Sequence, residues 1–175
     1  SEGCRNCYAE RLSHRFGWTK KPWTGPNAGE NLKLHPERME QPLRWKKPRR
    51  VFVNSMSDLF HEEVPFEFIQ DVFDVMVKAW WHTFQILTKR PERMKNFMER
   101  FMAQRREYAE TLKDNEIRRQ AREWAAHPPK NIWLGVSVEN QKAADERIPY
   151  LLETPAAVRF LSCEPLLGPV DLTNY

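Results

Sequence analysis

Apolar positions along the chain fall into two alternating patterns. Short apolar runs at 51–54 (Val51-Phe52-Val53-Asn54), 83–88, 131–138 and 158–162 read as strands. Between them, apolar residues recur at helical spacing. Pro65 suits a first helical turn, and Ile69, Val72, Phe73, Met76 and Trp80 follow it on one face. Pro91 opens another helix with Met94, Phe97, Met98 and Phe101 on one side. Residues 104–126 continue as a charged helical stretch, ended by His127-Pro128-Pro129. A further helix is predicted over 140–147, with Pro149 ending or kinking it. Ahead of these units, residues 8–16 are helix-compatible. Residues 17–50, rich in Pro, Gly, Trp and Lys, read as a long irregular excursion.

Strand–helix–strand repetition with short apolar strands predicts the α/β class and a parallel sheet of βαβ units. Such units build either an open doubly wound sheet or part of a (βα) barrel, and composition does not separate the two. At 175 residues the chain is one domain by size. Hydrophobic residues make up 41% of it, enough for a real core. No internal repeat is visible. No run of ~18 apolar residues occurs, so no transmembrane helix is expected, and no secretory signal is visible. Three cysteines cannot make a full disulfide framework, so a reduced, cytoplasmic setting is expected. The net charge of +4 permits an acidic or nucleic-acid partner without requiring one.

In either architecture ligands bind at the carboxyl ends of the strands. Each predicted strand runs into hydroxyls or charges there. The first leads to Asn54, Ser55, Met56, Ser57 and Asp58, and the second to Thr88, Lys89 and Arg90. The third leads to Ser137, Val138, Glu139 and Asn140, and the fourth to Ser162, Cys163 and Glu164. Lys89 or Arg90 suits a carboxylate or phosphate. Asp58 suits an amine or a ribose hydroxyl. Near the start, Cys4 and Cys7 stand two residues apart, a spacing that lets two thiolates share one metal or cluster.

The order of five motifs then resembles a known group. These are Cys4-Arg5-Asn6-Cys7-Tyr8-Ala9-Glu10, Val51-Phe52-Val53-Asn54-Ser55-Met56-Ser57-Asp58-Leu59-Phe60-His61, Gln85-Ile86-Leu87-Thr88-Lys89-Arg90-Pro91-Glu92-Arg93-Met94, Trp133-Leu134-Gly135-Val136-Ser137-Val138-Glu139 and Leu161-Ser162-Cys163-Glu164-Pro165-Leu166-Leu167-Gly168-Pro169-Val170. Together they resemble a phage- and bacteria-borne family of largely uncharacterised proteins named after two mycobacteriophage gene products. That family is similar to the radical S-adenosylmethionine (SAM) superfamily, and within it to spore photoproduct lyase. The resemblance implies a partial (βα) barrel of the radical SAM type, a 4Fe–4S cluster, SAM cleaved by one electron to a 5′-deoxyadenosyl radical, and an external electron donor. It places Cys4 and Cys7 as the last two cluster ligands, with the first upstream of Ser1. A further Gly-rich strand motif is expected after Tyr175, so the first and last barrel elements are expected to lie outside the chain. Ser57 and Asp58 correspond to contacts with the amino-acid part of SAM, Lys89 to its carboxylate and Ser137 to its nucleoside side. Arg90 and Glu164 are candidates for the substrate side. Where the lyase carries a hydrogen-donating cysteine this chain has Met56, which argues against photoproduct repair. Cys163 is a candidate substitute donor, or a small buried residue.

Other readings stay open. Cys4 and Cys7 with His14 and a fourth ligand would make a zinc site, although the histidines show no paired spacing. A redox dithiol finds no supporting pattern. Arg44-Trp45-Lys46-Lys47-Pro48-Arg49-Arg50 mixes bases with an aromatic and fits a nucleic-acid-binding module without catalysis, or a nucleic acid or nucleotide substrate. Arg105, Arg106, Arg118, Arg119 and Arg122 alternate with acids and read as a solvated, ion-paired face. Trp18, Trp23, Trp80, Trp81 and Trp133 read as core. His61 is either near the site or on a surface loop.

Overall fold

The computed structural model describes residues 8–175. It has four strands: β1 (Arg50–Val53), β2 (Thr83–Thr88), β3 (Ile132–Ser137) and β4 (Val158–Ser162). They form one parallel sheet in the order β1-β2-β3-β4. The α/β class expected from the alternation is the class adopted. Each strand pairs with the next in sequence, so the order never turns back, as it does at the switch point of a doubly wound sheet.

The helices are α1 (Tyr8–Arg15), the single turn α2 (Ala28–Asn31), α3 (Phe66–Lys78), α4 (Pro91–Thr111), α5 (Asn115–Ala126) and α6 (Gln141–Glu153). Among the described residues no helix is long and apolar enough to cross a membrane.

Strand alternation sorts the sheet into two unlike faces. Phe84, Ile86, Ile132, Leu134 and Val136 share one face by register and are buried. They join one core with Phe73 and Met76 of α3, Phe97 and Phe101 of α4, and Ile148 and Leu151 of α6. Phe73 anchors the aromatic part of this core, with ring centroids 4.7 Å from Phe97 and 5.3 Å from Phe101. On the opposite face, Phe52 remains exposed, and Leu87, Trp133 and Phe160 are only half-buried. There Phe160 lies across Gly135, its partner in register. A Cβ on Gly135 would come within 2.6 Å of the Phe160 ring. Gly135→Ala should therefore force that ring aside and cost about 1–3 kcal/mol. That is a fall of roughly 2–12 °C in melting temperature. A Phe160→Leu change made with it should recover part of the loss.

Four local readings are corrected. The stretch 104–126 is not one helix: Leu112 and Asp114 adopt extended backbone, and the Asp114 carboxylate caps α5 by accepting from Ile117 N at 2.9 Å. Aspartate at that position competes with the helix and restarts it. Pro149 does not end α6, which runs to Glu153. It sits on the exposed side of the helix, away from the core. Trp80 and Trp18 are not core but are 74% and 58% exposed. Trp80 falls beyond the last turn of α3, so the stripe that predicted its burial has already stopped.

Arg105 does not belong to a solvated face. It is 7% exposed, lies 3.5 Å over the Trp124 ring, and donates to Trp124 O at 2.7 Å and His127 O at 3.2 Å. Burial pulls its guanidinium down to about 10, which keeps it cationic at neutral pH. It thereby fastens the end of α5 to α4.

The excursion before β1 contains only short helical turns. Buried His82 ties it down, accepting from Arg49 N at 3.0 Å and donating to Pro42 O at 3.0 Å.

Candidate functional site

Three strand ends build one polar rim. After β1 the chain turns at Asn54, whose φ of 60° is a left-handed conformation that asparagine tolerates. Ser57 N donates to Asn54 O at 3.1 Å, closing the turn. Asp58 then accepts Phe60 N at 2.9 Å on Oδ1, while buried Leu59 and Phe60 anchor the loop in the core. After β2, Thr88 donates its hydroxyl to Asp58 Oδ1 at 2.7 Å. Lys89 N and Arg90 Nη1 donate to Asp58 Oδ2 at 3.1 and 2.9 Å. These four donors occupy the acceptor positions of an ionised carboxylate. Asp58 is thus the peg that holds the end of β1 to the end of β2.

Arg90 continues outward and grips Glu62, with Nε 2.8 Å from each carboxylate oxygen. Burial works to lower the Arg90 guanidinium, but Glu62 and Asp58 outweigh it and raise it above its ordinary value. Burial likewise opposes ionisation of Glu62, whose carboxyl the Arg90 bonds nonetheless hold low. His61 beside them is lowered, first by burial and then by the Arg90 charge, so it is neutral at pH 7. Its Nδ1 accepts Glu63 N at 3.2 Å.

The end of β3 joins through Glu139. This side chain is 2% exposed. Its Oε1 accepts Lys89 Nζ at 2.5 Å and its Oε2 accepts Arg147 Nη1 at 2.7 Å. Arg147, on the inner side of α6, also donates to Ser137 O at 2.6 Å. Burial alone would raise the Glu139 carboxyl, but the Lys89 hydrogen bond, its charge and that of Arg147 hold it below its ordinary value. Lys89 remains about one-fifth exposed and gives one hydrogen bond to Glu139. An ammonium carries three donors, so two are left to face the rim.

The candidate residues therefore divide. Asp58, Lys89 and Arg90 are brought into direct contact, and Glu139 and Arg147 link them to Ser137. Ser57 is exposed and, with Asp58, lines a cleft of about 400 Å³ whose apolar walls include Leu34, Met39, Val53 and Phe68. Cys163 is half-buried against the core, and Glu164 is exposed before a cis bond to Pro165. The β4 end meets the β3 end through backbone, with Val138 N donating to Ser162 O at 2.8 Å and Leu167 N to Glu139 O at 2.7 Å. Cys4 and Cys7 lie outside the described residues. No group of three or more metal-ligating side chains occurs among the described residues. The basic segment 44–50 enters β1 from its amino end, so it lies across the sheet from this rim.

Sequence reasoning missed Glu139 and Arg147 as a pair. The signal was present: Arg147 falls on the apolar side of its helix with Ala143, Ala144, Ile148 and Leu151, and a core-facing cation calls for a carboxylate.

A family described as "Protein of unknown function (DUF5131)" matches residues 1–175. The chain belongs to that family. No curated protein and no solved structure matches it. In this DUF5131 chain the rim can hold an anion at Lys89, backed by the buried Glu139–Arg147 pair. Asp58 keeps the lysine-bearing strand end in place.

Proposed function

We propose that this chain is a radical SAM-like iron–sulfur protein, its sheet a section of a partial (βα) barrel, acting in a reduced cytoplasm with an external electron donor. The observation that carries the reading is the rim: a partly exposed cation with spare donors, clamped at the carboxyl ends of parallel strands whose order never reverses. Among the described residues, the motifs at the ends of β1, β2 and β3 contribute Asp58, Lys89, Arg90 and Glu139 to that rim.

The residues fit SAM at its carboxylate end. Lys89 would take that carboxylate as a point charge. Asp58, already filled by four donors, would position Lys89 and Arg90 rather than hold the amine. Exposed Ser57 is left to meet the amino-acid part, and Ser137, on the same face as Gly135, the nucleoside side. Cys4 and Cys7 would hold the cluster, which supplies the one-electron cleavage of SAM. Glu164 and Cys163 follow along the same edge, for the substrate.

The test is anaerobic iron and sulfide reconstitution of the full protein carrying this chain, read by EPR after reduction, with and without SAM. A 4Fe–4S signal that shifts on adding SAM is expected. Cys7→Ala should abolish the signal. Lys89→Ala should keep the signal and lose the SAM-dependent shift. Bound zinc, or no metal and no response to SAM, would sink the proposal and favour a zinc-binding module.

A further inference from the structure

The amino-terminal ends of the strands carry a second surface, unlike the rest of the exterior. Arg44, Lys46, Lys47, Arg49 and Arg50 are clustered within seven residues, and all five are exposed. None of the five makes an ion pair among the described residues. Several surface cations elsewhere are paired with neighbours: Lys21 with Glu30, Lys95 with Glu153, Arg119 with Glu116, and Arg122 with Glu110. Five like charges in one short stretch repel one another, which works against the compact state. A polyanion would relieve that repulsion.

The same end also carries ring faces. Arg49 lies 4.7 Å over the ring of Trp45, and Arg50 lies 5.7 Å over that of Trp133. Trp45 is tied to the start of β2 because its carbonyl accepts Trp81 Nε1 at 2.8 Å. Trp80 packs edge-on against Trp81 at 6.0 Å and is itself 74% exposed. Guanidinium planes and an open indole beside a row of cations make a surface that both tracks phosphates and stacks bases. An acidic protein would use the charges but leave the indole without a role. An anionic membrane would call for an amphipathic helix with an apolar face, and residues 45–50 are not helical.

We propose that the patch formed by Arg44, Lys46, Lys47, Arg49, Arg50 and Trp80 is a docking surface for single-stranded nucleic acid. It lies at the opposite end of the strands from the Asp58–Lys89–Glu139 rim. It therefore holds a strand against the chain without placing it at the rim, and it is independent of any cofactor there.

The experiment is fluorescence anisotropy of the full protein with a labelled single-stranded oligothymidylate, titrated at several salt concentrations. Vesicles of phosphatidylserine and phosphatidylcholine serve as a competitor. Binding that weakens steeply with salt is expected. Lys46→Gln with Lys47→Gln should lower the salt slope by roughly 1.4, the value of two single-strand phosphate contacts. Trp80→Ala should weaken binding roughly 5- to 160-fold with little change in that slope. Lys113→Gln with Lys142→Gln, away from the patch, should change neither. Circular dichroism with a melting curve checks that each variant folds. No binding at low salt overturns the proposal. So does an affinity untouched by the Lys46/Lys47 pair or by Trp80→Ala, or displacement of the oligonucleotide by the vesicles.

Discussion

Glu139→Ala is expected to cost about 3–5 kcal/mol of folding stability, because it strands two cations that now share one buried carboxylate. Lys89 would regain water through its exposed portion. Arg147, 8% exposed, would keep only its bond to the Ser137 carbonyl. Lys89→Ala should therefore cost clearly less than Glu139→Ala, since Glu139 keeps Arg147. Urea denaturation of both single variants and the double variant gives the coupling between them directly. A Glu139→Ala loss under about 1 kcal/mol would contradict the buried ion pair. The same carboxyl sets an acid limit. Its folded pKa is depressed, so its contribution is full above the ordinary value of 4.5 and disappears as pH falls through the folded value. His61, also lowered, acts earlier. Its contribution is complete above 6.5 and begins to fade below it. Stability should thus fall in two stages on acidification, and His61→Gln should remove the first.

Asp58→Asn is the second large effect, expected at about 2–4 kcal/mol for a change that leaves shape almost intact. An amide offers one acceptor oxygen in place of two. Whichever way it turns, two of the present donors would face an NH₂ group. Either Phe60 N and the Thr88 hydroxyl, or Lys89 N and the Arg90 guanidinium, would lose their partner. Beyond stability, the variant should loosen Lys89 and, on the proposed function, weaken SAM binding, measured by calorimetry, more than its stability loss explains at a temperature where it is folded. An Asp58→Asn variant as stable as the parent would mean that these four bonds contribute little.

Much of this architecture can be read from residue patterns. Apolar runs bound residues 83–88 and 158–162 as strands, and these are β2 and β4 without adjustment. Strand-end chemistry also puts Asp58, Lys89 and Arg90 together, since any parallel sheet gathers the residues just beyond the carboxyl ends of its strands. Periodicity is blind where the deciding partner lies far along the chain. Lys89 and Glu139 are 50 residues apart, and only the β2–β3 pairing brings them into reach. The exposure of Trp80 depends on where α3 stops, and stopping points are set by local backbone rather than by spacing. Arg105 looks, in sequence, like one of many arginines among acids. Its burial comes from a helix hairpin that Asp114 creates, which a continuous 104–126 helix would not contain.

The unreversed strand order has a consequence for how the chain is made. No strand must be threaded between two others already in place, because each docks beside its immediate predecessor. As synthesis proceeds, β2 can join β1 once α3 has emerged, and β3 can join β2 once the α4–α5 hairpin has emerged. Each step closes a loop within one repeating unit, which keeps its entropy cost modest. The Lys89–Glu139 bond forms only when β3 arrives. Until then Lys89 and the apolar edge of β2 are open, and that interval is when the nascent chain is most exposed to wrong pairing.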